Sequence, residues 1–267
     1  GYIEPLLVGP AARLAGLMAE MGLRPDALEI VDTPDDEVAA ARAAAALARD
    51  GAVGMLMKGS LHTDHFMSAV VARESGLRTG RRISHAFVMA AAAYPKLFIL
   101  TDAAVNIAPT LQEKADIAQN AIDLARALGV ARPKVAVLCA TESVNPAMPA
   151  TLDAAALSKM ADRQQIRGGQ IDGPLAFDNA ISRQAAEQKG IVSPVAGDAD
   201  ILLVPDIEAG NMLYKELTWL AGAATAGLVL GTRVPVLLTS RSDAVQARVD
   251  SCAVAALYAR ALAVGPR

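Results

Sequence analysis

The alternation of two kinds of segment constrains the fold of this chain most. Short runs rich in Val, Leu and Ile predict strands at residues 4–9, 27–32, 52–58, 83–91, 96–102, 134–140, 201–206, 227–231 and 234–239. Longer alanine-rich amphipathic runs predict helices, among them residues 11–21, 35–49, 63–74, 111–128, 154–165, 211–220 and 243–262. Strands that are apolar on both faces and separated by helices are typical of a mostly parallel sheet covered by helices. We therefore predict an α/β fold.

Two connections without a crossover helix indicate two lobes. Residues 92–95 are all that separates two predicted strands, and residues 231–235 separate another pair. We place the domain boundaries there: residues 1–94 with 232–267 form one α/β/α lobe, and residues 95–231 form the other. A length of 267 residues allows two modest domains, and 53% hydrophobic residues with only 3% aromatics suits helices packed closely on sheets.

Charge and hydropathy exclude several partners. With 25 basic and 28 acidic side chains and no basic stripe, a nucleic-acid partner is not expected. The longest uncharged run, residues 217–232, is short for a membrane span, and no signal-peptide pattern is recognised. Cys139 and Cys252 form no CxxC motif, which argues against a zinc knuckle or a disulfide framework. We expect a soluble cytoplasmic protein that does not contact membranes.

The turn at residues 239–243 is the most informative polar segment. It joins a predicted buried strand to a predicted helix and contains Ser240, Arg241, Ser242 and Asp243. Backbone N–H groups at a helix N-terminus, two hydroxyls and a guanidinium together suit a bound phosphate. Helix capping by Ser242, with Asp243 in the first turn, is the alternative interpretation. Capping does not explain Arg241, because a cation there opposes the helix dipole, so the pattern favours an anion site.

Residues 77–85 bring three arginines, Arg78, Arg81 and Arg82, just before a predicted strand. They form either a solvated charged face or a second subsite for a substrate that carries several phosphates. The sequence does not separate these two interpretations.

The sequence gives little support for a metal site, a nucleotide site or a hydrolase site of a known motif. His62, Asp64 and His65 lie near a helix start, but no third metal ligand is fixed, and a capping or surface role is commoner. The nucleotide motifs GxGxxG and GxxxxGK[ST] are absent, as are GxSxG and HExxH. We therefore predict no metal site.

Taken in order, several segments resemble the phosphate acetyl/butyryltransferase family. The resemblance covers essentially the whole chain and rests on residues 77–85, 101–109 (TDAAVNIAP), 141–145 (TESVN), 172–182 (DGPLAFDNAIS), 200–211 (DILLVPDIEAGN) and 235–243 (PVLLTSRSD). Residues 77–84 and the turn at 240–243 are most similar to the butyryl branch, or to the acyltransferase half of a fusion with an enoyl-CoA hydratase. The family fold resembles isocitrate and isopropylmalate dehydrogenases, which implies an active-site cleft between two lobes.

The resemblance implies reversible transfer of a short acyl group, acetyl to butyryl, between coenzyme A and inorganic phosphate. It implies that Ser240 and Arg241 stabilise the phosphate and the tetrahedral oxygen, and that Arg82 assists with the phosphate. The other expected substrate-binding residues are Ser84, Asn106, Glu142, Asn145 and Asp178. Acyl-CoA is then a substrate, with no cofactor, and the chain is expected to form a homodimer. Family members usually begin with a further helix, so this chain is expected to be part of a longer protein, with a fused N-terminal hydratase domain as one option.

One position departs from the family pattern. Acetyl-type members carry an aspartate seven residues after the serine, as the proposed base for the coenzyme A thiol, and that position is Ala247 here. Asp243 is the first replacement that we predict, and Asp178 and Glu142 are further candidates.

Two alternatives remain open at this point. A domain fused to some malic enzymes resembles the same family, senses acetyl-CoA and drives oligomerisation, and Ala247 is compatible with such a non-catalytic role. A metal- and nicotinamide-dependent dehydrogenase of the shared fold would use a cluster of aspartates. Four aspartates are available for that cluster: Asp102, Asp172, Asp178 and Asp206. No dinucleotide motif accompanies them.

Overall fold

A computed structural model describes residues 3–24, 26–238 and 244–264. It divides into two compact units, residues 1–80 with 232–267 and residues 81–231. The lobes predicted from the sequence differ from these units in one segment, residues 81–94, which groups with 95–231.

The elements follow the predicted alternation. In the described residues the strands are β1 (Leu6–Gly9), β2 (Glu29–Asp32), β3 (Leu56–Met57), β4 (Ser84–Ala90), β5 (Phe98–Thr101), β6 (Lys134–Leu138), β7 (Gln170–Leu175), β8 (Ile201–Leu203), β9 (Ala224–Leu230) and β10 (Val236–Leu237). The helices are α1 (Ala11–Glu20), α2 (Glu37–Arg49), α3 (Thr63–Val71), α4 (Leu111–Ala127), α5 (Pro149–Asp162), α6 (Phe177–Ile181), α7 (Arg183–Gln188), α8 (Ile207–Trp219) and α9 (Val245–Val264), with a 3₁₀ turn at Arg73–Ser75.

The unit of residues 1–80 and 232–267 contains two pairs of parallel strands, β1 with β2 and β3 with β10. Helix α2 begins where the Asp36 carboxylate accepts a hydrogen bond from the N–H of Val38. Its alanines Ala41, Ala45 and Ala48 recur at helical spacing and are buried. Small side chains on one stripe let α2 pack closely against its neighbours.

In residues 81–231 the strand order is β9-β4-β5-β8-β6-β7. Strands β5, β8, β6 and β7 run parallel to one another, and β4 is antiparallel to both of its neighbours. The predicted α/β fold with a mostly parallel sheet is therefore confirmed. The predicted break between β4 and β5 is a hairpin within one sheet, because a connection without a crossover helix joins neighbouring antiparallel strands.

The core of this unit lies on both faces of the parallel strands. Leu202 of β8 and Ala136 of β6 are fully buried, as is Ile117 of α4. Strand β7 was not predicted, because Asp172, Gly173 and Pro174 interrupt its apolar pattern. It lies at the edge of the sheet, where a strand tolerates proline and polar residues.

One close approach sets the position of α8. A Cβ on Gly210 would lie 2.7 Å from Cγ2 of Val204 and 3.0 Å from Cα of Ala103. The absence of a side chain at Gly210 therefore lets α8 pack directly on the segment that follows β5.

Among the described helices, none is both long enough and apolar enough to cross a membrane.

Candidate active site

Four predicted site residues of the 81–231 unit follow the carboxyl ends of its parallel strands. Asn106 comes after β5, Glu142 and Asn145 after β6, and Asp178 after β7. Strand β8 lies between β5 and β6, so the ends of β5 and β6 are about 10 Å apart. Ligands of open α/β sheets bind at the carboxyl ends of the strands. Here the polar side chains form two clusters.

The first cluster, called the arginine cluster, consists of Arg82, Asp102, Asn106 and Glu113. The Arg82 Nε donates to Oδ1 of Asn106 at 2.6 Å, and the Arg82 Nη1 lies 2.9 Å from Oε1 of Glu113. Nδ2 of Asn106 donates to Oδ2 of Asp102 at 2.6 Å. The structure thus brings together two residues predicted for the site, Arg82 and Asn106. Within the described residues no partner contacts Nη2 of Arg82, and half of this side chain is exposed.

Asp102 fixes the segment that carries Asn106. Its carboxylate accepts hydrogen bonds from the N–H groups of Ala104, Val105 and Asn106 at 2.9, 3.0 and 3.2 Å. Asp102 is 3% exposed and Asn106 is 2% exposed. Because a buried carboxylate with several donors holds its geometry, the amide that binds Arg82 is preorganised.

Glu113 provides the charge opposite Arg82. It belongs to a capping box at the start of α4, where its Oε2 accepts from the N–H of Thr110 at 2.9 Å. That backbone hydrogen bond, then the Thr110 hydroxyl, and lastly the Arg82 charge lower the pKa of Glu113. An ionised Glu113 and Asn106 together fix the direction of the guanidinium, which leaves one of its edges for an anion.

Ser84 lies behind this cluster. It is fully buried, and its Oγ accepts from Nδ2 of Asn120 at 3.0 Å. The same Asn120 amide donates to the carbonyl of Arg82 at 2.9 Å. This burial favours a role of Ser84 in positioning the Arg82 backbone, whereas its predicted contact with substrate remains a prediction.

The second cluster, called the lysine cluster, consists of Glu142, Asp178, Asn179 and Lys189. Lys189 Nζ lies 3.3 Å from Oε2 of Glu142 and 3.5 Å from Oδ2 of Asp178, so it connects two predicted site residues. The N–H of Glu142 itself is the largest influence that lowers the pKa of its carboxyl group, and Lys189 and Asn179 lower it further. Desolvation opposes the charged form of Lys189, but the two carboxylates outweigh it, and the pKa of Lys189 is raised.

Asn179 has spare hydrogen-bonding capacity at this place. It is fully buried, and its Nδ2 donates to Oε2 of Glu142 at 3.2 Å. Its Oδ1 has no partner among the residues that the structure describes. A buried amide oxygen without a donor is costly, so a group that binds at the lysine cluster could supply the missing bond.

Asn145 has a local role in the structure. Its Oδ1 accepts from the N–H of Ala147 at 2.9 Å, and its own N–H donates to Oγ1 of Thr151 at 2.9 Å. These bonds shape the turn that leads into α5. The predicted contact of Asn145 with substrate is not tested by this geometry.

The predicted catalytic residues Ser240, Arg241 and Asp243 lie outside the described residues. Ala247, at the family's aspartate position, is in α9, and its carbonyl accepts from Oγ of Ser251 at 2.7 Å. The methyl side chain of Ala247 cannot accept a proton.

The aspartates considered for a dehydrogenase are used mainly in local backbone bonds. Asp206 accepts from the N–H of Ala209, and Asp172 accepts from the N–H of Gly173, both at 2.9 Å. In the described parts of the chain, none of the four aspartates belongs to a group of three close metal-ligating side chains.

Three residues of these clusters were not predicted. Asn179 stands in the quoted segment 172–182, and Glu113 follows Thr110 at capping-box spacing, so both carried a signal. No sequence pattern pointed to Lys189, because it is distant from Glu142 in the sequence and contacts it only in the folded chain.

Comparisons with known proteins bear on the family of the chain. A sequence model described as "Phosphate acetyl/butaryl transferase" matches residues 4–256. A phosphate acetyltransferase of Rhizobium meliloti is 57% identical over 259 residues, which are 97% of this chain and 82% of that protein. A phosphate butyryltransferase of Clostridium acetobutylicum is 44% identical over 97% of this chain and 86% of that protein.

Among solved structures, a branched-chain phosphotransacylase from Enterococcus faecalis V583 superposes with a TM-score of 0.83. It is 32% identical, and the match covers 95% of this chain and 98% of that one. The fold, the polar edge of the sheet and these relatives together define an acyltransferase. The chain belongs to the phosphate acetyl/butaryl transferase family.

Proposed function

We propose that this chain reversibly transfers a short acyl group, acetyl to butyryl, between coenzyme A and inorganic phosphate. The observation that carries the proposal is the Arg82 guanidinium, held by Asn106 and Glu113 with one edge open. Arginine binds phosphate with two parallel hydrogen bonds, so this geometry suits a leaving or attacking phosphate. The turn with Ser240 and Arg241 would supply further donors, as the family resemblance implies.

In the direction of acyl-CoA synthesis, the coenzyme A thiolate attacks the carbonyl carbon of the acyl phosphate. A C–S bond forms, the C–O bond to phosphate breaks, and inorganic phosphate leaves with the electron pair. The thiol proton passes to a base, because a free thiol with a pKa of about 8.5 is mostly protonated at neutral pH. Fixed donors stabilise the tetrahedral oxygen and the phosphate.

Two candidate bases for the thiol proton, Glu142 and Asp178, lie in the lysine cluster and differ in their surroundings. Several donors bind the Glu142 carboxylate and lower its pKa, which makes it a weak proton acceptor. Asp178 accepts one hydrogen bond, from the N–H of Asn179 at 2.9 Å, its contact to Lys189 is long at 3.5 Å, and 54% of its side chain is exposed. Of these two, Asp178 is the better candidate, alongside Asp243. Asp178→Asn should then lower the rate more than Glu142→Gln.

The proposal includes several properties that the family resemblance implies. The reaction needs no metal or cofactor, and the chain acts in the cytoplasm as a homodimer. The resemblance also implies a fold like that of isocitrate and isopropylmalate dehydrogenases.

The first experiment measures thiol release from acetyl-, propionyl- and butyryl-CoA, with and without inorganic phosphate, in the presence of EDTA. We expect release that depends on phosphate, and the rates rank the acyl groups. Release that needs an added metal, or that ignores phosphate, would contradict the proposal. No release combined with acetyl-CoA binding in a titration would instead support the sensor role that Ala247 suggests.

A further inference from the structure

A group of metal-ligating side chains lies in the unit of residues 1–80 and 232–267. Glu37, His62 and His65 each offer one ligand atom, and these atoms lie within 4.8 Å of one another. The sequence already placed the two histidines near a helix start, without a third ligand. The structure supplies Glu37, 25 residues before His62, at the first position of α2.

The geometry converges on a single carboxylate oxygen. Nδ1 of His62 and Nδ1 of His65 both lie 2.9 Å from Oε2 of Glu37. His62 directly precedes α3 and His65 lies in its first turn, and the centroids of the two rings are 5.6 Å apart. Ligand atoms around a tetrahedral Zn²⁺ are separated by about 3.3 Å, given metal–ligand distances of about 2.0–2.1 Å. Opening the O–N distances by a few tenths of an ångström would accommodate the ion.

We propose that Glu37, His62 and His65 form a binding site for a first-row divalent cation, with Zn²⁺ as the expected ion. Two imidazoles and one carboxylate are ligands that Zn²⁺ prefers, and they leave one position for water. Mg²⁺ prefers oxygen ligands and octahedral geometry, so it should bind far more weakly. The bound ion would join the start of α2 to the start of α3.

Local charge and access support the site. The pKa of Glu37 is lowered to about 2, and the hydrogen bond from the N–H of His62 is the largest cause. Asp36 and Asp64 add negative charge close to His65. The His62 side chain is 64% exposed and that of His65 is 45% exposed, so an ion can reach them from solvent. The N–H of His62 donates to Oε2 of Glu37 at 2.9 Å, which orients the carboxylate as outer bonds do in metal sites.

Binding would exchange protons for the ion without other chemistry. Each imidazole presents a deprotonated Nδ1 to the cation and keeps its proton on Nε2. A doubly protonated imidazole must release one proton to solvent, so affinity should decline as the pH falls below the imidazole range.

The test is calorimetric titration of ZnCl₂ into the untagged full chain after EDTA treatment and desalting. MgCl₂ serves as the comparison ion. We expect one Zn²⁺ per chain and no measurable Mg²⁺ binding under the same conditions. His65→Gln and Glu37→Gln should each weaken Zn²⁺ binding at least about tenfold, since even the loss of an outer bond costs about 10- to 100-fold.

Glu74→Gln is the matched control, because Glu74 is an exposed carboxylate of the same unit. Its Zn²⁺ affinity should stay within about twofold of the original. A double variant Cys139→Ser, Cys252→Ser should also bind Zn²⁺ normally, and the Co²⁺-loaded protein should show no thiolate charge-transfer band. Absence of Zn²⁺ binding, unchanged binding in His65→Gln, or loss of binding in the cysteine variant would each overturn the proposal.

Discussion

The parallel strands of residues 81–231 carry charged side chains at both of their ends, and the two ends use charge differently. We call the side where these strands start the amino edge and the side where they finish the carboxyl edge. At the amino ends of β5, β8 and β6, Lys96, Lys134, Asp198 and Asp200 form a closed network. The Lys96 ammonium lies 2.6 Å from Asp200 and 2.8 Å from Asp198, and Lys134 binds the other oxygen of Asp198. At the carboxyl ends, the contacts between side chains of the lysine cluster are 3.2–3.5 Å long, and the arginine cluster leaves a guanidinium edge open.

Backbone bonds reinforce the amino edge. The Asp200 side chain is 12% exposed, and its Oδ2 also accepts from the N–H of Lys134 at 2.8 Å. The carbonyl of Asp200 accepts from the N–H of Ile99 at 2.8 Å. One residue thus connects three strands at their starts, which holds their relative positions.

The difference separates structural charges from functional ones. Charges whose partners are all within the protein stabilise the fold, but they have no capacity for a ligand. The carboxyl edge keeps an exposed arginine edge, an amide oxygen without a described partner and loosely paired carboxylates. We therefore expect substitutions at the carboxyl edge to affect catalysis and those at the amino edge to affect stability.

Arg82→Ala should have the largest effect on activity. Removing one preorganised donor from a site that stabilises developing charge typically lowers the rate by about 100- to 1000-fold. We expect that loss in kcat/KM for the phosphate-dependent reaction, with partial recovery in Arg82→Lys. Steady-state kinetics and urea unfolding of the same samples check it.

Arg81→Ala is the matched control for that measurement. Arg81 pairs with Asp123, and 44% of its side chain is exposed, so its loss should change kcat/KM far less. Equal losses in the two variants would mean that catalysis depends on the general positive charge of this segment. The position of the Arg82 guanidinium, which Asn106 sets, would then have no special effect.

Asp200→Ala tests the other edge. It leaves the Lys134 N–H without its partner and the Lys96 ammonium with Asp198 alone, which costs about 1–3 kcal/mol of unfolding free energy. Urea denaturation measures this loss, while kcat/KM of the folded enzyme should stay within about twofold. A stable variant with a large kinetic defect would remove the distinction between the edges.

The sequence predicted the alternating elements well where local signals were strong. Helix α4 was predicted at residues 111–128 and is observed at Leu111–Ala127, because Thr110 and Glu113 mark its start. Strand β7 and the short helices α6 and α7 were missed, since a mixed polar pattern and five or six residues give no periodicity.

The site was predicted in part, for a similar reason. Residues that follow strand ends, such as Asn106 and Glu142, could be selected because parallel strands end at one edge. Contacts made through the tertiary fold could not. Lys189 meets Glu142 across 47 residues of chain, and Glu37 meets His65 across 28.

Gly210→Ala tests whether α8 needs its close packing on the segment that follows β5. A methyl group there would meet Val204 at 2.7 Å and the Ala103 backbone at 3.0 Å, so overpacking should cost about 1–3 kcal/mol. Gly16→Ala, in helix α1 with open space around it, should instead stabilise by about 0.5–1 kcal/mol. Thermal unfolding of both variants compares them. Stabilisation in both would mean that α8 does not need close contact with the segment after β5.

The smallest expected effect is a pH dependence at the amino edge. Desolvation raises the pKa of Asp198, but Lys134 and Lys96 outweigh it, so the pKa is lowered overall. A carboxyl group whose folded pKa is below its unfolded value of about 3.9 stabilises the fold above that pH. This contribution is lost as the pH falls through the folded pKa.

Lys134→Met removes one of the two cations and should raise the folded pKa of Asp198. The stability difference between the original chain and this variant should therefore be larger near pH 6 than near pH 3, because the contribution of Asp198 decreases as the pH falls below its unfolded pKa of about 3.9. Urea unfolding at the two pH values measures it. Lys159→Met is the control, since Lys159 and Asp162 are both more than 60% exposed, and its effect should stay within about 1 kcal/mol at either pH. A pH-independent difference for Lys134→Met would show that Lys134 stabilises the amino edge through its packing, with no contribution from its charge on Asp198.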